Sequence, residues 1–215
     1  AEQIRAFATI VKNGHLVYGH KPVHWCLECK SALAEAEVEY KDKESCSVDV
    51  RFRIIDTNEF LTRTGLNLDQ TDRPIYLPIW TTTLWTLPAN QAVVLGEDLN
   101  YLLVATASDH GPYYAIVAEG LQESIRDRWQ AEKWDVVDSL NPKDLEGLIL
   151  QHPFYQRQVP ILIGDYVTLE AGTGAVHTAP AHGHDDFIIG QKNNLPLDNP
   201  VNDFGVFTES TEYFA

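Results

Sequence analysis

The 215-residue chain has no methionine, only three cysteines and few cations. Its 16 Lys+Arg stand against 31 Asp+Glu, a formal net charge of −15 with His neutral. Each shortage excludes something. A surface this acidic cannot hold nucleic acid by unspecific neutralisation of phosphates, which needs a basic patch. Any RNA substrate must be delivered by something else. Cys26, Cys29 and Cys46 are too few for a disulfide framework, so a reducing cytoplasm is the expected compartment. No run approaches 18 consecutive apolar residues, so neither a membrane span nor a membrane partner is expected. The opening AEQIRAFATI lacks the basic-then-apolar pattern of an export signal. The want of Met fits removal of an initiator before Ala1, and equally a piece of a larger protein.

What is present is a core-forming composition. Hydrophobic residues make up 44%, enough to exclude a disordered chain. At ~150 residues per domain the length suits one large domain, or one domain with arms. The dominant period is two. Val48, Val50, Phe52 and Ile54 share one face of 47–54, with Ser47, Asp49, Arg51 and Arg53 on the other, which predicts a half-buried strand. Ala34, Ala36, Val38 and Tyr40 alternate with Glu35, Glu37 and Glu39, which predicts a second strand, joined to the first through 41–44 as an antiparallel hairpin. Further strands are expected at 74–82, 101–107, 113–118, 147–151, 159–163, 166–169 and 175–178. Leu121, Ile125 and Trp129 form an apolar stripe that predicts a helix over 119–134, and a shorter helix is expected over 184–192. Residues 56–72 read as an exposed insertion and 193–200 as a loop. Many short, evenly spaced strands predict an α+β, β-rich fold: a barrel-like mixed sheet with a few peripheral helices, in a single domain.

Two segments could carry chemistry. The first is Trp80-Thr81-Thr82-Thr83-Leu84-Trp85-Thr86-Leu87-Pro88-Ala89-Asn90, with four hydroxyls between and beside two indoles. Hydroxyls donate and accept, so they can orient a ribose, a carbonyl or a water, but they supply no strong base. The bland alternative is a Thr-rich strand packed with Trp. The second segment runs from Gly172 to Phe187 and places His177, His182, His184, Asp185 and Asp186 within ten residues. The positive end of a helix starting there would keep a carboxylate ionised and able to anchor an ammonium group. Simple helix capping is the alternative, and the better one for Asp185. His182, His184 and Asp186 also fit the start of an HxHxDH metal-hydrolase motif, but position 187, where its last His would stand, holds Phe. Cys26-Leu27-Glu28-Cys29 is half of a zinc knuckle. Cys46 stands alone, and His20 and His24 are the only other candidates to complete a site, so a structural role is expected and no metal or cofactor. No GxSxG elbow and no glycine-rich phosphate loop occurs.

WTTTLWTLPAN (80–90) and GTGAVHTAPAHGHDDF (172–187) resemble the two signature segments of the editing domain of isoleucyl-tRNA synthetases, and KPVHWCLECKSALAEAEVEY (21–40) resembles the stretch leading into it. The resemblance covers essentially the whole chain. Three consecutive Thr followed by Trp-Thr-Leu-Pro-Ala-Asn point to the isoleucyl rather than the valyl or leucyl branch. Leu84 stands where the family usually has Pro, which frees the backbone after the Thr run, and Ala181 stands where it usually has Gly. No activating motif is present: Tyr18-Gly19-His20 lacks the first His of an HIGH-type segment, and no KMSKS segment occurs. ATP binding and adenylate formation are therefore not expected.

The resemblance implies a synthetase editing-domain fold over 1–215, with 1–30 and 205–215 as arms to a catalytic body. It implies a monomer acting on the 3′ end of tRNA(Ile) carrying Val, without a cofactor. Telling Ile from Val by one methylene is worth only ~1–3 kcal/mol, a known figure for this very family rather than one obtained from this sequence, so a second hydrolytic site must remove errors. By the resemblance, His177 lines that site and blocks the extra methylene, Asp186 holds the α-ammonium, and Thr81, Thr82, Thr83 and Thr86 hold the adenosine, the ester carbonyl and the water. Trp80 packs near the adenosine and Asn90 supports the threonine segment. Orientation supplies most of the acceleration, with His177 as general base the second mechanism. Two other functions stay open: a metal-dependent hydrolase using His182, His184 and Asp186, and a non-catalytic tRNA-docking module.

Overall fold

In the computed structural model, which describes residues 1–68 and 72–214, the chain opens with helix α1 (Glu2–Lys12) and a hairpin of β1 (His24–Cys26) and β2 (Ser31–Leu33). There follow β3 (Val48–Ile54), α2 (Thr57–Thr64), β4 (Ile75–Thr81), a 3-10 helix over Leu84–Ala89, β5 (Ala92–Gly96), β6 (Tyr101–Ser108) and β7 (Gly111–Ala118). The chain continues through α3 (Gln122–Arg128), β8 (Asp135–Leu140), the one-turn α4 (Pro142–Leu145), β9 (Ile149–Gln151), β10 (Gln158–Gly164), β11 (Ala175–Thr178) and α5 (His184–Lys192).

Nine strands form one mixed sheet in the order β11-β5-β10-β9-β3-β4-β7-β6-β8. The edge strand β11 comes back against β4. Just before it, Thr173 Oγ1 donates to Pro78 O at 2.7 Å and Ala118 N to Thr173 O at 2.9 Å. The expected barrel-like sheet with peripheral helices is what forms. Gly174 makes the close approach possible: its φ is +80° and a Cβ there would overlap the Ala118 side chain. β5 is buried throughout, sandwiched between β10 and β11. Val93 and Leu95 join the main core, with Phe52, Ile79, Leu103 and Ile116, while Ala92 and Val94 join a second cluster with Ile189 of α5. α5 thereby lies over the outer face of the strands that carry the His177 segment.

Four expectations are corrected. Residues 34–40 are not a strand. Glu35–Glu37 form a 3-10 turn in which Ala34 N donates to Glu37 Oε2 at 2.7 Å, so the helical preference of Ala and Glu wins over the alternation. β3 accordingly pairs with β4 and β9, not with a hairpin partner at 34–40. Residues 166–169 form no ladder, because Tyr166 and Val167 turn inward to the second cluster. The helix expected over 119–134 is shorter: a 3-10 turn leads into α3, and Gln130, at φ 50°, stops the chain from continuing. Its stripe is nonetheless right, since Leu121 and Ile125 are buried and Trp129 packs on the core. The stretch 56–72 is no exposed insertion where it is described. Asp56 caps α2 by accepting from Glu59 N at 2.9 Å, and Phe60 and Leu68 are buried; positions 69–71 lie outside the described residues.

The amphipathic α1 buries none of its residues and leaves Ile4, Phe7, Ile10 and Val11 exposed. The β1–β2 hairpin, which carries the free thiols of Cys26 and Cys29, touches the C-terminal segment, where Trp25 Nε1 donates to Asp203 O at 3.0 Å. Among the described residues no helix is long and apolar enough to cross a membrane.

Candidate functional site

β4 delivers the threonine segment and β11 the histidine, and the two meet. Thr81 ends β4 and is buried, and its Oγ1 accepts from Thr83 N at 2.9 Å, which turns the chain into the 3-10 helix. The buried Thr86 hydroxyl donates to Thr83 O at 2.8 Å and lies 2.8 Å from His177 Nε2. Thr82 is exposed and Thr83 half-buried. Among the described residues, no intramolecular hydrogen bond engages the hydroxyl of either. Trp80, half-buried and facing away from the core, lies beside Gly172.

The hydrogen-bond directions fix the state of His177. Asn90 Nδ2 donates to Ala92 O at 2.9 Å, which settles the orientation of the amide, and its second hydrogen points to His177 Nδ1 at 3.1 Å. Nδ1 is therefore the acceptor and Nε2 carries the proton. Thr86 Oγ1, having given its own proton to Thr83 O, accepts from Nε2–H. Burial, then repulsion from His152 and His182, pushes the imidazole down to about 4, so it is neutral near pH 7. Neither ring nitrogen offers a free lone pair. Asn90 thus acts on the histidine as well as on the segment it ends.

Asp186 stands in the first turn of α5, whose N-cap is Gly183. It does not cap the helix: its Oδ2 accepts from Ala179 N, one residue beyond β11, at 3.0 Å. Among the described residues no donor meets its other oxygen. Burial pushes the carboxyl up to about 6; the Ala179 N–H opposes this and Asp185 adds to it. The helix end does not keep it at an ordinary carboxylate value, because desolvation outweighs the dipole, but the group is still mostly ionised near pH 7. Asp185 and His184 are exposed, while His182 packs edge-on to Trp85 with ring centroids 5.0 Å apart. Among the described residues no three His, Cys, Asp or Glu side chains come together as a ligand set for a metal ion. His182, His184 and Asp186 in particular are not brought to one point.

A family model described as "Leucyl-tRNA synthetase, editing domain" matches residues 124–210. Isoleucine–tRNA ligases of Ruthia magnifica subsp. Calyptogena magnifica, Nitrosococcus oceani and Legionella pneumophila are 52%, 49% and 50% identical over 97%, 100% and 100% of this chain. The chain belongs to the isoleucyl-tRNA synthetase editing-domain family. It spans only 21–23% of the length of those relatives. Among solved structures, the editing domain of the P. knowlesi cytosolic leucyl-tRNA synthetase superposes with a TM-score of 0.59 at 13% identity, covering 69% of this chain and 62% of that one. The P. falciparum counterpart gives 0.57 at 11% identity, covering 74% and 76%. At such identities these structures speak for the fold.

Three further residues of this isoleucyl editing domain surround the site without belonging to either signature segment. The Tyr166 hydroxyl lies 3.5 Å from Thr178 Oγ1, and burial pushes it up to about 12. His152 and Arg157 reach the far end of the 3-10 helix from the β9–β10 loop. Nothing in their local sequence marks them, because each acts on backbone carbonyls across the fold.

Proposed function

We propose that this domain hydrolyses the ester of Val-tRNA(Ile) and spares Ile-tRNA(Ile). One observation carries the reading: the half-buried Asp186 carboxylate, with one oxygen that meets no donor among the described residues, opens the helix after β11, and β11 itself holds a neutral, doubly hydrogen-bonded histidine against the threonine segment, where the hydroxyls of Thr82 and Thr83 take no intramolecular hydrogen bond among the described residues. Post-transfer editing as an activity class is what family membership supports; the particular ester is the finer step.

In this reading the free oxygen of Asp186 takes the α-ammonium of the amino acid. Thr82 and Thr83 orient the ester carbonyl and the attacking water. Thr81 and Thr86 set the shape of the segment, Trp80 packs by the terminal adenosine, and Asn90 holds His177. Water adds to the ester carbon, the ribose oxygen leaves with a proton, and valine and free tRNA result. With its single lone pair engaged by Asn90, His177 serves as a wall rather than a general base: it meets the additional methylene of isoleucine. Positioning of an already reactive ester supplies the acceleration. The acidic chain relies on the catalytic body of the synthetase, reached through 1–30 and 205–215, to bring the 3′ end of tRNA(Ile).

The test is a deacylation assay with Val-tRNA(Ile) and Ile-tRNA(Ile), run in the full-length ligase with and without a chelator. Rapid, chelator-insensitive loss of Val with Ile retained is expected. Loss of activity on chelation would favour a metal-dependent hydrolase, and tRNA binding without hydrolysis a docking module.

A further inference from the structure

The last carbonyls of a helix have no partner within it. In the 3-10 helix Leu84–Ala89 they are buried, and Pro88 within it donates nothing. Leu87 O accepts from the following Asn90 N at 3.0 Å, and the β9–β10 loop supplies further donors from outside. His152 Nε2 lies 3.0 Å from Leu87 O, and its Nδ1 accepts from Tyr155 N at 3.1 Å, so Nε2 carries the proton and donates. Arg157 Nη1 donates to Pro88 O at 3.0 Å and to Asn90 O at 2.8 Å, and Arg157 Nη2 reaches Asp198 at 3.2 Å.

The loop is itself tied down. His152 N donates to Arg157 O at 2.9 Å, Gln151 Nε2 to Tyr155 O at 2.7 Å, and the His152 ring stacks on Tyr155 and meets Phe154 edge-on. A loop held this firmly presents its donors in fixed places. Arg157 ends on the carbonyl of Asn90, the residue whose amide sets the His177 ring, and His152 ends on that of Leu87, which also accepts from Asn90 N at 3.0 Å.

We propose that His152 and Arg157 are positioning residues for the size gate: by holding the carbonyls of Leu87, Pro88 and Asn90 they aim the Asn90 amide, and through it keep His177 in one tautomer and one place. The inference rests on the editing reading of the site. The planar fork of Arg157 reaches two carbonyls and a carboxylate at once, which the point charge of a lysine cannot do. His152→Phe keeps the buried aromatic volume and removes the N–H.

Arg157→Lys and His152→Phe are made in the full-length ligase for kinetics and in the 215-residue chain for nitrogen-15 spectra of the His177 ring. The wild type should show Nε2–H alone. Each folded variant should show both tautomers, and the ratio of Val to Ile deacylation should fall roughly ten- to a hundredfold with KM for the Val ester within about twofold. A single tautomer and an unchanged ratio in folded variants would overturn the proposal. So would rates that drop only with the folded fraction, or failure of both variants to fold, since the loop would then be a fold element alone. A wild type that leaves Val-tRNA(Ile) intact would sink the editing reading, while the ring spectra would still report on the clamp.

Discussion

Asp186 is held in the folded chain at a cost. Its carboxyl titrates near 6, above the usual carboxylate range. The folded state therefore takes up a proton more readily than the unfolded one, and ionisation above pH 6 opposes folding. Asp186→Asn should raise stability at pH 7 to 8 by on the order of 1 kcal/mol, with the gain vanishing below about pH 4, where both states are protonated. The Asn oxygen can still accept from Ala179 N–H. The same substitution should abolish Val-tRNA(Ile) deacylation. Urea midpoints and deacylation rates on one preparation check both halves, and a variant that is less stable and fully active would refute the assignment. His177→Ala should open the wall and let Ile-tRNA(Ile) be hydrolysed at a rate approaching that for Val; continued sparing of Ile would place the gate elsewhere. Both residues were legible in the sequence, because each lies in a motif. The state of His177 was not, because it depends on Asn90, which is 87 positions away.

Elements were legible where one face of a strand or helix meets solvent. β3 and α5 follow directly from their patterns. β5 does not, because AVVLG is buried on both faces and has no period to read. β8 was missed for the opposite reason: it is an edge strand, exposed except for Leu140, and carries Asp135 and Asp138. The misread hairpin at 34–40 shows propensity overruling alternation in a segment with no buried face. The turn into β11 depends on a single missing Cβ. Gly174→Ala would force a left-handed φ and an overlap with Ala118 at once, so a loss of about 2 kcal/mol or more is expected in urea unfolding. The Val-to-Ile ratio of the remaining folded protein should fall as well, since β11 carries His177. A variant as stable as the parent would show that the strand can shift.

At the scale of the whole molecule, buried histidines set the response to acid. Burial pushes both His152 and His177 down to about 4. As pH falls through 6.5 the unfolded chain takes up protons that the folded chain refuses, so stability is lost between about 6.5 and 4. Asp186 works the other way over nearly the same window, gaining stability as pH falls from 6 toward 3.8. His182 is lowered by burial as well, so the histidines outweigh the single carboxyl, and a net loss of roughly 2 kcal/mol between pH 7 and 5 is expected. Urea midpoints measured across that range should fall, and a level or rising midpoint would contradict the assignment. The sequence revealed the barrel-like class and both signature segments. It could not reveal that the β9–β10 hairpin loop, separated from β4 in the sheet by β3, holds the end of the threonine segment, since contacts to backbone carbonyls leave no trace in residue type.

The engagement of both ring nitrogens of His177 has a physiological corollary. An imidazole locked neutral, with its proton on a defined atom, keeps its dimensions unaltered as its surroundings drift by a unit of acidity. Under the proposed editing function, throughput should sag when Asp186 is discharged, while the stringency with which isoleucine is turned away should stay constant.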